Sequence, residues 1–202
     1  MIKKVALIVA GSMAASLLYA PAALAHAPKI PKGFLLYEKQ ARTDTDHWSV
    51  NEGDAMEEVW NIQCAPATFG GWARRRDVTY DTEIGGGERT NRQRGEQIFV
   101  FAGAKGADRM MDRMRQLLRQ CGKAVKVRTP RIGSDAMSAS RTIRPTKTNP
   151  IPQTQKFTAV RKGAAVALYW DMHNDAKPLR SLTRHETDAR KMAAKLCRVG
   201  GC

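Results

Sequence analysis

The first 25 residues fix the conditions under which the rest of the chain must fold. Lys3 and Lys4 give a positive start, an apolar run extends from Val5 to about Tyr19, and Pro21 is followed by small residues at Ala23 and Ala25. That order is the pattern of a cleavable export signal. The run is short for a membrane span of about 20 residues, no cysteine lies at the junction to accept a lipid, and no second apolar run of spanning length follows. Cleavage is expected after Ala25, with Ala27 as the alternative. Residues 1–25 are therefore excluded from the folded unit, and residues 26–202 are expected to be secreted into an oxidising compartment.

In such a compartment cysteines pair. All four, Cys64, Cys121, Cys197 and Cys202, lie beyond the signal, and four cysteines permit three pairings. The preferred arrangement joins Cys64 to Cys121 and Cys197 to Cys202, the latter across Arg198-Val199-Gly200-Gly201. In the chain-entropy treatment the long loop contributes about 4 kcal/mol and the short one about 2 kcal/mol. A metal site is not expected: there is no Cys-x-x-Cys pair, and His173 and His185 do not stand at ligand spacing to the cysteines. No cofactor is expected either.

The remaining chain, 202 residues less the 25 of the signal, or about 177, suits one domain. Residues 26–33 hold two prolines and two lysines and read as a mobile, extended lead-in to a domain over 34–202. The stretch before Cys64 has scattered large side chains and predicts short helical or irregular pieces. Alternation predicts a strand over Arg74 to Glu83, a turn at Gly85-Gly86-Gly87, and a strand through Gln97-Ile98-Phe99-Val100-Phe101-Ala102 paired with it. Ala107, Met110, Met111, Met114, Leu117, Leu118 and Cys121 recur at steps of three and four, so Ala104 to Cys121 predicts an amphipathic helix closed by Gly122. Strands follow over Lys123 to Ile132 and Asp135 to Arg144. Phe157 to Val160 and Ala165 to Trp170 then form a hairpin around Arg161-Lys162-Gly163. Thr183 and Glu186 are spaced as a capping box that opens a last helix to about Cys197. The order predicts a disulfide-bonded α+β domain, an antiparallel sheet with the two main helices packed on one face.

No catalytic constellation is present. His26, His47, His173 and His185 are expected to be solvated, there is no Gly-x-Ser-x-Gly elbow, and the glycine triplet at 85–87 opens no helix with a Lys-Ser or Lys-Thr. The chain is expected not to be an enzyme. Its distributed feature is charge: +15 overall, and about +13 once Lys3 and Lys4 leave with the signal. Outside the cytoplasm such a field selects anionic surfaces such as cell-wall polymers, phospholipid headgroups or acidic partners rather than nucleic acid. If the strands that carry them are neighbours, Arg74, Arg76, Lys126 and Arg128 gather on the sheet face away from the helices as an anion-binding surface.

Several of these elements in their order resemble the PknH-like extracellular sensor domains of actinobacteria. They are Cys64, the strand Gln97-Ile98-Phe99-Val100-Phe101, the helix ending Leu117-Leu118-Arg119-Gln120-Cys121, then Gly133-Ser134-Asp135-Ala136, Val160-Arg161-Lys162-Gly163-Ala164-Ala165-Val166, and a last helix with Ala189, Ala193 and Leu196 up to Cys197. The resemblance spans about Phe34 to Cys202. It implies an antiparallel sheet with helices, disulfides that hold it, and a cleft for an unidentified ligand, here in a free secreted form without a kinase region. The expectation is a non-enzymatic ligand-binding domain. The alternative is a secreted cationic protein that adheres to anionic envelope polymer or membrane surface. Non-reducing peptide mapping of the exported protein is expected to return Cys64 linked to Cys121 and Cys197 linked to Cys202. Free thiols would remove the expected disulfides.

Overall fold

The structure is a computed structural model and describes residues 28–44, 48–53, 59–60, 62, 68–83, 91–147, 150–174 and 183–202. The expected export signal, Cys64, His26, His47 and the expected glycine turn at 85–87 lie outside the described residues. The helices are α1 (Tyr37–Asp44), α2 (Ala104–Gln120) and α3 (Thr183–Gly200). The strands are β1 (Trp48–Glu52), β2 (Trp72–Glu83), β3 (Asn91–Phe101), β4 (Val125–Arg128), β5 (Asp135–Ile143), β6 (Gln153–Lys162) and β7 (Ala165–Asn174). They form one antiparallel sheet in the order β1-β2-β3-β7-β6-β5-β4, so the α+β class is as expected. Two meanders, β1 to β3 and β4 to β7, meet where β3 pairs with β7, Ile98 opposite Ala167 and Glu96 opposite Tyr169.

The central strands are buried on both faces. Ile98, Val100, Ala167 and Tyr169 belong to one cluster with α1 and the α3 residues Ala189, Met192 and Leu196. Their neighbours Phe99, Phe101, Val166, Leu168 and Trp170 belong to a second cluster with the α2 residues Ala107, Met110, Met111 and Met114. Successive strand residues point to opposite faces, so α2 and α3 cover opposite sides of the sheet. This corrects the expectation of both helices on one face. The heptad-like stripes show that each helix has a buried side, but they do not say against which face of the sheet it packs.

On the α3 side, small residues on both partners let the helix sit close: Ala136, Ala165 and Ala167 on the strands, Ala189 and Ala193 on the helix. The disulfide Cys197–Cys202 closes the chain end just beyond, with Cα atoms 5.2 Å apart. That end docks on the β6–β7 hairpin, where the Ala164 N–H donates to the Gly200 carbonyl at 2.9 Å. Cys121 is also disulfide-bonded, while its expected partner Cys64 lies outside the described residues. The lead-in is not a free tail at its end. Ile30, Phe34 and Leu35 are part of the core, because three apolar side chains within six residues gain more by burial than the prolines lose by ordering. Among the described residues no helix is long and apolar enough to cross a membrane.

On the α2 side, Trp170 lies flat over β3 at Gly95, where an added Cβ would stand 2.4 Å from the indole. Trp60 stacks on that indole, with centroids 5.2 Å apart and the rings parallel. Gly95 is thus a close-approach glycine. Gly95→Ala is expected to lower stability by about 1–3 kcal/mol through overpacking, whereas Gly70→Ala, with nothing within 4 Å of its Cβ, should stay within about 0.5 kcal/mol. Paired urea titrations would measure both, and an unaffected Gly95→Ala would refute the packing.

Candidate functional site

The four cationic candidates share a face by register, but they do not meet. Arg74 pairs with Val100 and Arg76 with Ile98, while Lys126 pairs with Ser140 and Arg128 with Ser138. Parity puts all four on the side that α1 and α3 cover. β2 and β4 are five positions apart in the sheet order, roughly 24 Å at the usual strand spacing. The expected pooled basic surface away from the helices is therefore not formed. Arg76 is buried and structural: its guanidinium pairs with Glu38 at 2.5 Å and with Glu52 at 2.7 Å. Arg128 is half-exposed at the β4 edge and pairs with Glu186 of α3 at 2.5 Å. Lys126 is exposed on the same edge strand.

Arg74 has a different setting. The β1 ladder pairs β2 only from Tyr80 to Arg76, and Trp72 to Arg75 run on past its end. There a cavity of about 430 Å³ opens, lined by Lys29, Glu52, Gly53, Trp72, Arg74 and Arg75 among others. Small-molecule pockets fall at about 300–1,000 Å³. Arg75 lies over the Trp72 ring, 5.1 Å from its centroid, and donates to the Gly53 carbonyl. The Arg74 side chain donates only to the carbonyl of its neighbour Ala73, at 2.9 Å. Glu52, the carboxylate of the lining, is shared with Arg76. Three cations therefore surround an aromatic wall with one acid that already has a partner. The buried Arg76–Glu38 pair sets this geometry from behind, since Glu38 also accepts from the Gly33 N–H and so holds the lead-in that carries Lys29.

The α3 side also holds a second group of polar side chains, at the far end of the strands. Glu96 is fully buried and accepts from the Tyr37 N–H at 2.8 Å and the Tyr169 hydroxyl at 2.6 Å. Tyr37 in turn donates to Asp188 at 2.9 Å. One step on, Arg94 stands over the Tyr37 ring, 5.0 Å from its centroid, and Asp171 accepts from Arg92 at 2.9 and 3.0 Å. Burial pushes the Asp171 carboxyl up, but its bonds from Arg92 outweigh that and hold it below the usual range. His185 is pushed down, by burial above all.

His173 and His185 are each 3% exposed, a correction to their expected solvation. The sequence carried a signal for both. His185 extends the buried stripe of Ala189, Met192 and Leu196 by one turn, and His173 continues the inward parity of Tyr169 and Asp171 along β7. Their polarity alone made them read as surface.

Glu96 yields a pH test. Burial raises its carboxyl from 4.5 to about 8, against the lowering effect of its two hydrogen bonds. Between those values the folded chain holds a proton that the unfolded chain has released, so this group's contribution makes stability fall as pH rises and levels off above about 8. Glu96→Gln is expected to remove that slope. The difference between the two unfolding curves against pH would show it, and a difference that stays flat through this range would contradict a protonated Glu96. No protein-family model and no curated protein matches the chain.

Proposed function

We propose that the chain is an exported, non-enzymatic ligand-binding domain of the sensor-like kind that its pattern resembles, and that the cavity at the end of β1 receives an anionic small molecule with a flat apolar part. The observation that carries this reading is the combination of Arg74, Arg75 and Lys29 around Trp72 in a cavity of about 430 Å³. Arg74 has no carboxylate partner among the described residues, so its guanidinium is available to a carboxylate, sulfonate or phosphate in the fork geometry such groups favour. Trp72 supplies stacking area beside it. Within this reading the remaining charge attracts anions toward the site from a distance.

Binding would be followed by tryptophan fluorescence with an anionic aromatic probe, anilinonaphthalene sulfonate. Arg74→Ala is expected to weaken it about tenfold, the equivalent of losing one charge-assisted hydrogen bond. Retention by a distributed field, as in adhesion to anionic polymer or membrane, would survive Arg74→Ala and collapse between low and high salt instead. That second pattern would overturn the cavity as the ligand seat.

A further inference from the structure

We propose that the strand ends beneath the first turn of α3 form a second site, which takes one small oxyanion between Arg94, His173 and His185. The Nε of Arg94, both ring nitrogens of His173 and Nδ1 of His185 are buried with no hydrogen-bond partner, and all three residues are 3% exposed. An arginine Nε–H can only donate, so the partner that it lacks is an acceptor. Buried donors left in this state are costly.

The nearest acceptor is already occupied. Asp171 is held by Arg92, which leaves Arg94 Nε at 3.7 Å and His185 Nε2 at 3.8 Å from the same carboxylate, beyond hydrogen-bond distance. Lys156 of β6 also feels Asp171. One carboxylate thus faces two arginines, a lysine and a histidine. Asp188 of α3 is bonded to the Tyr37 hydroxyl, and Arg94 reaches only that hydroxyl, at 3.4 Å. Tyr80 of β2 is also beside Arg94, and Thr154 of β6 pairs with His173 and shares its face. The N-terminal end of the 18-residue α3 adds its own positive potential.

The site is separate from the cavity. Arg94 lies six residues along β3 from Val100, the partner of Arg74, or roughly 20 Å. Protonation of His185, which burial holds off to below the usual imidazole range, makes donors of both its ring nitrogens, so an oxyanion of fixed charge should bind more tightly as pH falls through that range.

The test uses the mature chain and inorganic sulfate, with ionic strength held constant by chloride. The histidine ring signals in NMR are expected to shift and saturate for His173 and His185, more tightly on the acid side of neutrality. At roughly ten times Kd the Tm should rise by about 3–6 °C. Arg94→Gln and His173→Gln should abolish both effects, and Arg74→Ala should leave them intact. If a variant fails to fold, the ring shifts of the unmodified protein decide alone. Phenyl phosphate run in parallel separates the sources: saturation by both makes the oxyanion the end of a larger molecule, and saturation by sulfate alone makes it a free ion. Ring signals that sulfate does not move, or a response lost in Arg74→Ala, would overturn the proposal.

Discussion

The pairing of β3 with β7 is the contact on which everything else rests. It joins the last strand of the first meander to the last strand of the second, about 70 residues later by position, with a continuous register from Arg92–His173 to Val100–Ala165. Without it there are two small sheets, each with an exposed apolar edge. With it, β3 and β7 become central and can be apolar on both faces, as Ile98, Phe99, Val166 and Ala167 are. Non-local closure of this kind costs loop entropy before it is rewarded.

The two faces are built differently. The α2 face is filled by long, pliable side chains, methionines against Phe99, Phe157 and the Trp60–Trp170 stack. The α3 face is close-packed through alanines at its centre and then turns polar toward one end, where Glu96, Arg94 and Asp171 continue the inward positions of the same strands. The Glu96 carboxyl, held by the Tyr37 N–H and the Tyr169 hydroxyl, and the Tyr37 hydroxyl bonded to Asp188 specify where α1 and α3 rest, since these bonds form together in one arrangement.

Much of this was legible in the residues, and what was not has physical causes. The strand through Ile98 to Phe101, the β6–β7 hairpin and α2 all have local periodicity and turn residues, and they stand where that periodicity put them. α1 and β1 are eight and five residues long and take their form from packing against β2 rather than from any pattern of their own. Sheet order has no local signature, so Arg74 and Lys126 looked like neighbours although four strands intervene. Arg92, Arg94 and Glu96 hid the first half of β3, because charge outweighed the alternation that they in fact obey. The cavity beside Trp72 depends on where β1 stops, which is a tertiary fact.

A sheet whose central strands are covered on both sides has no open face there to offer. Those strands are committed to helices above and below, so recognition moves to the perimeter: the edge of β2 where its neighbour ends, and the strand tips where side chains outrun the helix that roofs them. Such a molecule presents its chemistry as a rim around a closed interior. Changes at that rim can alter what is recognised while the packed centre stays as it is.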